Sequence, residues 1–205
     1  MAGTMPHAIF VETNADGAGG AVAYAAELPG CAVFDDDPDA AAAAMPRRVE
    51  RFTAWLRERG EPMPAFLGDN WYEVERAAAV GGPDGLRRAS FSLDDLPPSE
   101  EEFERWIIWL ELAREEVAEA LDRFSDPPAE LLDAVSTQDA ALARELGGDP
   151  GSLPAHPVDR LYAARDALTD ALHVAGPNAD GVRRALRLAI ADDLRLAERL
   201  TELAR

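Results

Sequence analysis

Hydrophobic positions come in short runs between turn residues in the first part of the chain. In the last half they recur every three or four residues, and this change of period divides the molecule. Ala8 to Thr13 (AIFVET) and Gly20 to Ala26 (GAVAYAA) are strand-like runs. Between them, Asn14 to Gly20 (NADGAGG) is rich in residues that tolerate positive φ, so the two runs predict a hairpin. Pro29-Gly30 punctuates, and Cys31 to Phe34 (CAVF) predicts a third short strand. A helix follows from about Pro38 to Arg59, with Val49, Phe52, Trp55 and Leu56 at helical spacing. Gly60, Pro62 and Pro64 stop it. Pro46 removes a backbone donor inside it and predicts a kink or a restart. Trp71 to Ala79 (WYEVERAAA) predicts a fourth strand, closed by the turn GGPDG.

From Leu96 onward the pattern is helical. Pro97-Pro98 breaks the chain, and Ser99 with Glu102 forms a capping box. The first helix behind it carries Phe103, Trp106, Ile107, Leu110, Val117, Leu121 and Phe124 on one face. A second, begun at Asp126-Pro127, turns Leu131, Leu132, Val135, Leu142 and Leu146 inward. A third, begun at Pro157, does so with Val158, Leu161, Tyr162, Leu168 and Leu172. The fourth opens after Gly176-Pro177-Asn178 and uses Val182, Leu186, Ile190, Leu200 and Leu203. The expected fold class is α+β, with a small βββαβ unit at 1–85 and an antiparallel four-helix bundle at 97–205.

Charge narrows the partners. The 205 residues carry a net charge of −19, and every basic residue is arginine. A field of that sign repels phosphate backbones, so direct nucleic-acid binding is not expected, whereas a basic protein partner is allowed. The single cysteine excludes an internal disulfide framework. No signal peptide and no membrane-spanning run is apparent, and a cytoplasmic location is expected.

The segments AYAAELPGC (Ala23 to Cys31) and WLRERGEP (Trp55 to Pro62), in the order strand, strand, LPGC, strand, acidic cap, helix, strand, resemble the HicB-like antitoxin domain. That resemblance implies a reduced ribonuclease H fold over roughly the first 80 residues, and binding of a small toxic ribonuclease rather than nuclease activity. Asp35, Asp36, Asp37 and Asp39 stand at a helix start, where free N–H groups and the helix dipole favour negative charge. Consecutive acids point in different directions, which suits capping better than a two-metal site. Cys31 has no base nearby in sequence and reads as a buried strand residue, not a nucleophile.

The bundle is similar to the DinB-like superfamily, with IIWLELAREEVAEALDRFSD resembling its first helix and ALRLAIADDLRLAERL its last. The resemblance implies a divalent-metal site of three histidines, one from the second helix and two, four apart, from the last. This chain has Asp133 or Ala134 at the first of those places, and Asp192 and Leu196 at the others. Its histidines are His7, His156 and His173, so the only alternative metal set is His156, His173, Asp192 and Asp193. The expectation is no metal, no cofactor and no catalytic residue. GxSxG, HExxH, CxxC and P-loop motifs are all missing from the sequence.

Leu28, Cys31 and Trp109 are the candidate partner-facing or domain-facing residues, Trp109 because it lies off the core stripe. The expected function is a non-catalytic binding or regulatory protein, recognising a protein partner of the small, basic, toxin-like kind or a small ligand. The alternative is a metal-dependent hydrolase or thiol transferase with a rebuilt metal site. A homodimer is compatible with either.

Overall fold

The computed structural model describes residues 7–63, 71–82 and 86–205. The Pro64 part of the helix stop and the tip of the GGPDG turn lie outside the described residues. The chain divides into two compact units, Met1–Leu93 and Asp94–Arg205. The architecture is mixed α+β, a four-stranded sheet followed by helices.

In the first unit, β1 (His7–Thr13), β2 (Ala21–Ala25) and β3 (Ala32–Asp35) form an antiparallel meander. Helix α1 (Pro38–Glu58) then returns the chain, so that β4 (Trp71–Ala78) lies parallel to β1 at the sheet edge, in the order β3-β2-β1-β4. Ile9 to Glu12 of β1 and all of β2 are buried at consecutive positions, so both faces of the sheet are covered. Phe91 stacks on Phe10 at 4.9 Å and meets Tyr24 edge-on at 6.2 Å. Helix α1 covers the other face with Ala41, Met45, Val49, Phe52 and Leu56. It is one helix through Pro46, with no restart. A second, two-stranded sheet of β5 (Val80–Gly81) and β6 (Arg87–Arg88) was not foreseen. Arg87 ties it to the rest by donating to the carbonyls of Asn14 (3.1 Å) and Ala79 (2.8 Å).

The segment LPGC is a tight turn. Cys31 N–H donates to Leu28 C=O at 2.9 Å, and Gly30 sits at φ 87°. Proline at the second position and a positive-φ glycine at the third are what a type II turn requires. Asp37 caps α1 by accepting from Asp39 N–H, and Asp35 accepts from Asp37 N–H, both at 2.9 Å. The acidic run is thereby used on backbone donors, with Asp39 also paired to Arg76 at 2.6 Å.

In the second unit a short 3-10 turn at Ser92–Asp95 leads into α2 (Glu100–Leu121), α3 (Ala129–Glu145), α4 (Pro157–Ala175) and α5 (Val182–Leu203). The Ser99–Glu102 capping box starts α2. One end of the bundle is an apolar cluster of Val117, Ala120 and Leu121 from α2, Leu132 and Val135 from α3, Leu161 from α4, and Leu196, Ala197 and Leu200 from α5. Those residues lie late in α2 and α5 but early in α3 and α4. Hence α2 runs parallel to α5, α3 runs parallel to α4, and the two pairs oppose each other. This differs from the alternating up-and-down arrangement that short loops suggest. The connection 146–156 allows it, because it can span about 36 Å at about 3.3 Å per residue. Helix α3, at 17 residues, is only about 25 Å long. Tyr162 and Leu203, expected inside, are 43% and 59% exposed.

Candidate functional site

Each bundle helix places a charged side chain on its inward stripe beside the apolar cluster, and four of these, one from each helix, meet in a layer. Arg114 follows Leu110 and precedes Val117 on α2, and Asp139 lies between Val135 and Leu142 on α3. Arg165 lies between Leu161 and Leu168 on α4, and Asp193 between Ile190 and Leu200 on α5. These are core positions by helical spacing. Asp139, Arg165 and Asp193 are buried, and Arg114 is nearly so.

The layer is organised around Asp193. Its Oδ1 accepts a short hydrogen bond from Arg165 Nη2, and Arg114 Nε lies 3.7 Å from its Oδ2. Arg114 also donates to the Thr169 hydroxyl and to the Arg165 carbonyl, the latter at 3.2 Å, which fixes α2 against α4. Thr169 in turn donates to Arg165 C=O at 3.0 Å. Asp139 is the exception. Neither of its carboxyl oxygens has a hydrogen-bond partner among the described residues, and Arg165 Nε and Nη1 have none either. Burial, with Asp193 nearby adding to it, pushes the Asp139 carboxyl up to about 8. Burial likewise pushes the Arg114 guanidinium down, against the attraction of Asp193 and Asp139.

Two guanidinium groups therefore supply to Asp193, inside the bundle, the positive charge that a bound cation would supply. Arginine keeps its proton and donates in a fixed plane, so it neutralises Asp193 without leaving an open coordination position. Among the described residues, no three His, Cys, Asp or Glu side chains gather as a metal ligand set would. His156 stands at the N-cap position of α4 without a side-chain cap bond, and His173 lies in its last turn. They are separated by on the order of 25 Å at about 1.5 Å per residue, and both are exposed. Asp192 is half-buried while its neighbour Asp193 is enclosed, so the set His156, His173, Asp192 and Asp193 is not brought together. Asp133 pairs with Arg160 at 2.6 Å, and Leu196 belongs to the apolar cluster. The inward carboxylates are Asp139 and Asp193. Sequence alignment to a metal pattern pointed to Asp133 and Asp192 instead.

A second buried pair closes the opposite end of the bundle. Arg187 of α5 holds Asp94 through Nη2 at 2.7 Å and Nε at 3.2 Å. One turn earlier, Arg183 donates to Leu96 C=O at 2.9 Å and lies 4.7 Å over the Trp106 ring. Together they anchor the segment before α2 onto α5.

In the first unit, Leu28 and Cys31 are fully buried, and desolvation pushes the Cys31 thiol up to about 12. Burial from solvent and a raised thiol pKa both act against a nucleophilic role. Trp109 in the second unit is 2% exposed. No helix among the described residues is long and apolar enough to cross a membrane.

No family model, no curated protein and no solved structure matches this chain.

Proposed function

We propose that the chain is a non-catalytic binding protein, HicB-antitoxin-like in its first unit and DinB-like in its second, whose partner is a small basic protein. The observation that carries this reading is the Arg114–Asp139–Arg165–Asp193 layer. It sets the Arg114 and Arg165 guanidinium groups against Asp193 in the bundle interior, where a DinB-like catalyst would need open ligands. The choice of a basic partner is supported by charge. Glu101, Glu104, Glu111, Glu115, Glu119 and Asp122 make one exposed stripe along α2, within a chain of net charge −19. A field of this kind raises the encounter rate with a cationic partner and falls off within about 10 Å at 0.1 M salt.

The test is co-expression of the full chain with the product of an adjoining short, basic open reading frame, followed by titration calorimetry of the purified pair. A one-to-one complex is expected, with an affinity that drops at least about tenfold between about 0.05 M and about 0.5 M salt. Failure of such a product to bind at low salt would overturn the reading.

A further inference from the structure

We propose that the four-charge layer is a proton-linked switch in which loss of one proton from Asp139 re-pairs Arg165, from Asp193 alone to Asp193 and Asp139 together. The argument starts from which groups are bonded and which are not. Arg165 uses one nitrogen on Asp193, while its Nε and Nη1 have no partner among the described residues. Asp139 sits in the same layer with neither oxygen bonded. A buried carboxyl left without donors is stable only as the neutral acid, because burying the charged form unpaired costs several kcal/mol. The same interior makes a new ion pair strong once the charge appears.

The groups facing Asp139 come from every helix of the bundle. They are Arg114 of α2, Arg165 of α4, and Asp193 and Asp192 of α5. On its own helix, Ser136 is already committed to Leu132 C=O at 2.7 Å. Two arginines oppose two inner aspartates, so the layer carries one net positive charge with Asp139 neutral and none with it ionised. Ionisation thus removes a charge imbalance, and the free Arg165 donors are the groups able to answer it. Helices α3 and α4 are the most extensively packed pair in the bundle, so a bond made between them on ionisation bears directly on bundle packing.

The direction of the pH effect follows from the folded state holding its proton over a range where the unfolded chain has lost it. Between the ordinary carboxylate range and about 8, the folded state binds more protons, so its stability falls as pH rises and then levels off. Asp139→Asn cannot ionise and lacks this slope.

The experiment has two readouts on the full chain. Carbon-13 NMR of the aspartate carboxyls, on wild type and on Asp139→Asn, follows the protonation. Asp139 is expected to titrate near pH 8, and the variant to melt several degrees above wild type at pH 8.5 but together with it at pH 4.5. Crystal structures at pH 6 and pH 9.5 follow the pairing, and Arg165 is expected to bond Asp193 alone at the lower pH and both aspartates at the higher. An Asp139 already ionised at pH 6, or identical Arg165 bonding at both pH values, would overturn the switch. The NMR and crystallographic measurements need no variant, so they decide the matter even if Asp139→Asn does not fold.

Discussion

Replacing Asp193 by alanine is expected to destabilise the bundle by about 3–5 kcal/mol, the cost of leaving a buried ion pair with one partner. Asp193 and its main partner Arg165 are almost completely enclosed, with side-chain exposures of 0% and 3%. Removal of the carboxylate strands the Arg165 guanidinium in the interior and also takes away the counter-charge 3.7 Å from Arg114. For a chain of this length the loss corresponds to a fall in melting temperature on the order of 10 °C. Breaking an exposed pair is the control. Arg184 and Glu145 lie 2.9 Å apart at partly exposed positions, and Arg184→Ala is expected to cost about 1 kcal/mol or less. The double replacement Arg165→Met with Asp193→Leu is expected to recover only part of the loss, because it removes the buried pair but leaves Arg114 without its counter-charge. Helical circular dichroism in a urea titration, read as a double-mutant cycle, reports all of these values. A cost for Asp193→Ala as small as that for Arg184→Ala would show that the layer is not a closed ion-paired core.

Leu161→Ala is expected to cost about 2–5 kcal/mol, the loss of its buried methyl groups plus the cavity left behind. Leu161 is completely buried and is α4's fully buried contribution to the apolar cluster below the charge layer, with partly buried Val158 packed beside it. There it meets side chains from both helices running toward it and from its parallel neighbour α3. The adjacent residue discriminates this explanation from a general sensitivity of α4. Tyr162 is 43% exposed, and Tyr162→Ala is expected to change stability by about 0.5 kcal/mol or less. Leu161→Met, which conserves volume, is expected to cost less than about 1.5 kcal/mol. Urea midpoints with an unchanged m-value would establish that the folded state, not the unfolded one, carries the difference.

The main elements could be read from the sequence wherever local chemistry decides them. Turn residues bounded the meander, Asp37 and Ser99 marked two helix starts, and helical spacing marked the four bundle helices. What escaped depended on tertiary contacts. The strands β5 and β6 are two residues each, and β6 is Arg87-Arg88, so neither carries a hydrophobic alternation to detect. The parallel course of α3 and α4 is set by how four stripes close on one another, and short loops pointed instead to an antiparallel neighbour.

The charge layer is a different case. Arg114, Asp139, Arg165 and Asp193 occupy inward positions of mostly apolar stripes, two of each sign, one from each helix. That pattern is visible in the sequence. A search for histidines and paired metal ligands passes over it, since arginine is usually assigned to the solvated face. A charged residue at a core position signals a partner on another helix, because burying it alone is too costly.

The most direct measurement is the metal content of the full chain, purified without a chelator and without a metal-affinity tag. It should be quantified by mass spectrometry before and after equilibration with zinc. With Arg114 and Arg165 already set against Asp193 in the interior, far less than one ion per chain is expected, and added zinc should leave the melting temperature unchanged. One tightly held transition-metal ion per chain, with melting raised by its binding, would contradict an arginine-filled interior and favour a metal-dependent catalyst.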